Sequence, residues 1–142
     1  MKLIQRNRDA AYLQYDKYVD FDNPMVMEKA MDLTKNCRSV YEKIETIYYF
    51  VRDEIDHTWD AKDSTITISA SDVLEKKTGI SYSKANLLAA LMRANGIYTG
   101  FCYQRIKRFT YDNKLALHAL NAVFEPDVKK WIRLDARGND YQ

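Results

Sequence analysis

The chain has 142 residues, 46% of them hydrophobic, which suits one domain built around one core. Its 22 basic and 20 acidic side chains leave a net charge of +2 with the signs mixed along the sequence. That mixing argues against a nucleic-acid-binding face, which needs basic residues clustered on one side.

The opening MKLIQRNRDA is charged and has no apolar core of the secretory kind, and no later run is apolar enough to suggest a membrane span. The expectation is a soluble protein of a reducing compartment such as the cytoplasm. Two cysteines, Cys37 and Cys102, are too few for a disulfide framework or a four-cysteine zinc site. Two histidines, His57 and His118, count against an all-histidine catalytic zinc.

Asn23 followed by Pro24 marks the start of a first helix, since proline fits the first helical position. A second helix follows from the spacing of Val40, Ile44, Ile47, Tyr48, Val51 and Ile55, with His57 near its end as a cation for the helix dipole. In STITISASDVLEKKTG a short extended piece leads into a short helix, where Ser69 and Asp72 have capping-box spacing. Next comes an apolar helix after Ser81, carrying Leu87, Leu88, Leu91 and Met92 and closed by Gly96.

From there the period changes. IYTGFCYQRIKRF, LALHALNAVF and KWIRLDA are rich in β-branched and aromatic residues and predict three strands, with turns at Asp112-Asn113 and in EPDVKK. Arg105, Lys107 and Arg108 alternate with Ile106 and Phe109, as on the solvated face of a strand. Helices first and consecutive strands afterwards argue an α+β fold: a helical N-terminal half, and a central helix packed on an antiparallel sheet of at least three strands.

Three polar residues stand out by position. Ser81 opens the apolar helix, His118 lies mid-strand among apolar neighbours, and Asp135 closes the third strand. Together they could be a nucleophile, a base and the carboxylate that orients the base. Each has a simpler role: a helix cap, a hydrogen-bonded core histidine and a turn former. Cys102 reads as an inert strand thiol, Cys37 as a thiol at a helix boundary, and Trp131 and Tyr103 as packing aromatics that could instead line a groove. Gln104 or Asn121 could donate to an oxyanion.

The blocks KKTGISYSKANLLAALMRANGI, GFCYQR, LHALNAVF and WIRLDARGN resemble, in this order, the transglutaminase-like domain, a circularly rearranged relative of papain-type cysteine proteases. The resemblance runs from about Val51 to Asn139 and is nearest to small stand-alone bacterial or archaeal members. Residues 1–142 then form a single domain, short at its C-terminal end beside longer members. The resemblance implies acyl transfer on a peptide or protein amide through a thioester, with no cofactor, no metal, no nucleic acid and no membrane. His118 matches the general base and Asp135 its orienting carboxylate. Position 81 matches the nucleophile, where the family has cysteine and this chain has serine.

That one atom matters. A helix start and an imidazolium can hold a thiolate, because the thiol's pKa of about 8.5 is within reach of such shifts. A hydroxyl is far less acidic and needs a base aligned to it in the transition state. GISYS is also not the Gly-x-Ser-x-Gly elbow of serine hydrolases. The expectation is therefore a site of this family silenced by Ser81. Either a cysteine enzyme has had its nucleophile replaced, or the chain is a natural non-catalytic peptide binder.

Overall fold

Asn23 starts the first helix as its side chain dictates: its Oδ1 accepts the Met25 N–H at 2.9 Å, and Pro24 follows at a position needing no N–H. The computed structural model describes residues 9–57, 66–107 and 115–137. Helix α1 spans Pro24–Thr34 and α2 spans Val40–Glu54. Ser39 caps α2 by accepting the Glu42 N–H at 3.1 Å, and the Glu42 carboxylate reaches back to the Arg38 N–H at 2.8 Å. The stripe Ile44, Ile47 and Val51 is buried, as its spacing predicts.

Helix α2 stops at Glu54 because Ile55 is already extended. His57 therefore leaves the helix and enters a two-residue strand, β1 (Asp56–His57), which corrects its reading as a helix-end cation. Helix α3 (Ala70–Lys76) is capped by Ser69, whose Oγ accepts the Asp72 N–H at 3.2 Å. Only half of the expected capping box forms. Among the described residues the Asp72 carboxylate makes no return bond, and the Ser69 hydroxyl meets Ser71 instead. Lys77 ends α3 in the left-handed region, and β2 (Thr78–Gly79) then runs parallel to β1, with Asp56 opposite Thr78 and His57 opposite Gly79.

Helix α4 (Ser81–Ala94) is the centre of the domain. Its residues from Ser83 to Arg93, Asn86 excepted, are buried, as befits a helix covered on both sides. Helices α1, α2 and α3 pack on one side and the main sheet on the other. Gly96, at φ 74°, turns the chain out of α4 as expected. That sheet is antiparallel in the order β3 (Thr99–Lys107), β4 (Leu115–Glu125), β5 (Lys130–Leu134). The α+β architecture expected from the sequence is the one observed. The expected turn at Asp112-Asn113 and the residues Arg108 and Phe109 lie outside the described residues.

Val123 of β4 is fully buried, with Phe101, Ile132 and Leu134 packed on the same core. Asn121 is also fully buried, and its Nδ2 donates to Ala85 O of α4 at 3.1 Å and to Gly100 O of β3 at 3.3 Å. One amide thus joins the helix to two strands. On the opposite face the Trp131 ring packs on Tyr12 and Phe124 at 4.9 and 5.6 Å.

Removing a buried donor that serves two carbonyls costs about 1–3 kcal/mol. Urea denaturation is expected to show Asn121→Ala destabilised by that amount. Asn121→Asp should fall further, because its carboxylate would face the same two oxygens. Equal stability in both variants would contradict the linking role of the amide.

Candidate active site

Ser81 is the first residue of α4 and not its cap. The N-cap is Ile80, extended at φ −90° and ψ −179°, which has no side-chain acceptor to offer. Apolar residues are among the poorest N-caps, so among the described residues the first N–H groups of α4 receive no side-chain cap. Ser83 does the local capping instead: its Oγ sits 3.0 Å from the Ile80 N–H and 3.2 Å from the Ile80 carbonyl. Buried Thr67 bridges Ser83 Oγ at 3.3 Å and the Thr78 carbonyl at 2.9 Å. Among the described residues the Ser81 hydroxyl makes no hydrogen bond, which corrects the helix-cap reading. Gly79 is required for this packing, since a Cβ there would lie 2.7 Å from Ser83 Oγ and 3.2 Å from Lys84 Cγ.

His118 and Asp135 are brought together by the strand register. Asn121 pairs with Leu134, so Asp135, one residue past β5, falls diagonally across from His118 on the same face. His118 Nε2 lies 2.6 Å from Asp135 Oδ2. The imidazole side chain is 11% exposed and the carboxylate 41%. Asp135 is itself fixed twice: its Oδ1 accepts the Arg137 N–H at 3.1 Å, and its carbonyl accepts from the Tyr48 hydroxyl of α2 at 3.2 Å. With Nε2 held by the carboxylate, Nδ1 has no hydrogen bond among the described residues and is the nitrogen left to handle a proton. No hydrogen bond joins the Ser81 hydroxyl to this ring.

Lys84, one helical turn beyond Ser81, was missed by sequence reasoning. It is 1% exposed, and its Nζ donates to Ile55 O at 2.8 Å and reaches Arg52 O at 3.5 Å. These carbonyls close α2, where the helix dipole is negative. Burial pushes the ammonium down to about 8, and the nearby Arg137 acts in the same direction. Asp56, Asp135 and Asp53 oppose the shift. The carboxylate that orients His118 is thus within electrostatic reach of the first turn of α4. The available signal was a lysine at a core-facing position of an otherwise apolar helix.

The other candidates sort by what they touch. Both amide hydrogens of Asn121 go to carbonyls, so it is no oxyanion donor. Gln104 is exposed and directly opposite His118 in the register. Burial raises the Cys102 thiol, which agrees with an inert role, and Cys37 is half-buried beside Leu33 and Thr46. Tyr103 is 64% exposed and therefore not a packing residue. Among the described residues no group of three or more metal-ligating side chains occurs, and no helix is long and apolar enough to cross a membrane.

The family model of the Transglutaminase-like superfamily matches residues 28–136. No curated protein sequence matches the chain. Among solved structures, a proposed cysteine protease from Cytophaga hutchinsonii is similar, with a TM-score of 0.73 at 22% identity over 94% of this chain and 43% of that one. The periplasmic domain of TgpA from Pseudomonas aeruginosa is similar with a TM-score of 0.65 at 17% identity, over 90% of this chain and 46% of that one. A proposed protease from Parabacteroides distasonis gives 0.60 at 17% identity, over 89% and 26%. At these identities the likeness establishes the fold, and the chain spans less than half the length of each neighbour.

The burial of Lys84 has a measurable pH signature. Its folded pKa, about 8, lies below the unfolded value near 10.5, so between these pH values the unfolded chain binds more protons. Stability must therefore rise with pH across that window, and the cost of the buried charge is fully present below it. Relative to Lys84→Met, the parent protein is expected to gain up to about 3 kcal/mol between pH 8 and 10.5 in urea titrations. A pH-independent difference would show that the ammonium is not desolvated.

Proposed function

Because the chain belongs to the transglutaminase-like superfamily, we propose that it carries an acyl-transfer site of cysteine type whose nucleophile position, 81, is occupied by serine. The observation that carries this reading is the 2.6 Å pair of His118 on β4 and Asp135 just past β5, in the same sheet on which α4 packs. The substrate class is a peptide or protein amide.

In this reading Asp135 holds Nε2–H, so Nδ1 of His118 takes the proton from a nucleophile at position 81. A sulfur there attacks the amide carbonyl carbon, and the open N–H groups of the first turn of α4 stabilise the resulting oxyanion. The C–N bond then breaks and the imidazolium returns its proton to the departing amine. That leaves a thioester, which water or a second amine resolves. Ser81 interrupts the first step. Its hydroxyl is unbonded to the imidazole, and oxygen cannot stand as an anion at neutral pH.

A second reading is a non-catalytic domain that binds an extended peptide in the same place. It is favoured by the Ser81 hydroxyl, which has no partner among the described residues and leaves the site able to hold a carbonyl without attacking it. The cytoplasmic setting expected from the sequence belongs to this proposal and is supported by the two free cysteines.

Iodoacetamide alkylation mapped by mass spectrometry tests the reading. In Ser81→Cys the new thiol is expected to react near pH 6, ahead of Cys37 and Cys102, and to slow about tenfold when His118→Ala is added. An ordinary thiol, indifferent to His118, would refute the site. Turnover of a peptide amide by Ser81→Cys favours the enzyme, whereas peptide binding without turnover favours the binding domain.

A further inference from the structure

We propose that Lys84 is the positioning residue of this site: its buried ammonium locks the first turn of α4 onto the carbonyls that close α2 and holds a positive charge beneath residue 81. The inference rests on the acyl-transfer reading above and names a part of the site that the Cys-His-Asp pattern does not contain.

Three observations carry it. The first is that the charge is buried where an apolar side chain would do. Leu87, Leu88 and Leu91 of the same helix are fully buried, and Lys84 lies among them at 1% exposure. Buried ions cost desolvation, and replacing them with apolar residues is often neutral or stabilising, so stability alone is a poor reason for this lysine. The second is its place in the chain. Positions 81 and 84 are three apart on a helix and share a face, with Cβ atoms about 5–6 Å apart.

The third is what Nζ holds. Arg52 O, at 3.5 Å, belongs to the last turn of α2, and Ile55 O, at 2.8 Å, to the extended residue that ends the helix. The same helix supplies the Tyr48 hydroxyl that fixes Asp135. Through α2, one lysine sets the nucleophile turn and the His118–Asp135 pair in a single frame. The charged groups around it are Asp53 in the last turn of α2, Asp56 of β1, and Asp135 and Arg137 after β5.

A cation so placed adds to the positive end of α4 and favours an anion at residue 81, whether a thiolate or the oxyanion of an acyl intermediate. The expectation is read in the Ser81→Cys background as the pH dependence of alkylation, with thermal melting alongside. Lys84→Met and Lys84→Gln should each raise the thiol's titration midpoint by about one unit, a roughly tenfold slower reaction near pH 6. Lys84→Arg, which keeps the charge, should recover most of the rate. The gap between parent and Lys84→Gln should narrow above about pH 8, where Lys84 loses its own proton.

Gln retains a donor for Ile55 O without the charge, so it separates the two roles. A merely structural lysine predicts a lower melting temperature with an unmoved thiol midpoint, or full rescue by Gln, and either result overturns the proposal. The His118→Ala arm stands apart. A thiol that responds to His118 and ignores Lys84 refutes the role of the lysine alone, whereas one that ignores both refutes the site.

Discussion

The bond from Lys84 Nζ to the Ile55 carbonyl joins two helix ends of opposite polarity, the start of α4 and the finish of α2. An ammonium stripped of water tolerates few alternative positions, because leaving the carbonyls would expose an uncompensated charge to an apolar core. This constraint reaches the rest of the domain. The exit of α2 at Ile55 places Asp56 and His57 against Thr78 and Gly79, and Gly79 in turn lies flat on Ser83 and Lys84. Each contact presupposes the others, so the turn that carries residue 81 is defined by tertiary packing.

The sheet meets this frame from the other side. Asn121 spends its amide on Ala85 O, just beyond the first turn of α4, and on Gly100 O of the neighbouring strand. Three residues earlier on the same strand, His118 is bound to Asp135, whose backbone is anchored to α2 by Tyr48. Helix α2 therefore touches both halves of the candidate site, one through Lys84 and one through Tyr48. Side chains held by such second contacts keep their rotamers, which acyl transfer needs more than it needs stability.

How much of this could be read in the sequence depends on how far each interaction reaches along the chain. Asn23-Pro24, Ser39 and the stripe of α2 are local signals, and the structure follows them. His118 and Asp135 were legible because strand order and a short turn bring neighbouring strands together. The simpler reading of Ser81 as a cap fails because capping preference is a local rule, whereas here Ile80 takes the cap position with its N–H bonded to Ser83 Oγ. Two-residue strands such as β1 and β2 carry no period at all. The lysine of KANLLAAL stands at a core-facing position, but the carbonyls it reaches lie some thirty residues away, and nothing in LNAVF says that both Asn121 amide hydrogens would be spent. These readings failed where distant segments meet, and the site lies at those meetings. Natural chains break local rules most often at such places.

The electrostatics of position 81 do not depend on which atom sits there. The open N–H groups of α4 and the buried Lys84 charge favour negative charge at the helix start with either serine or cysteine present. Sulfur can answer that field by becoming a thiolate, and oxygen cannot. In the proposed reading, what the field would act on in the serine chain is the oxygen of a bound carbonyl, which carries a partial negative charge. In that reading, loss of the nucleophile would remove the covalent step and leave the recognition of an amide carbonyl physically intact. For that reason the silenced-enzyme and peptide-binding readings share one geometry and differ only in chemistry.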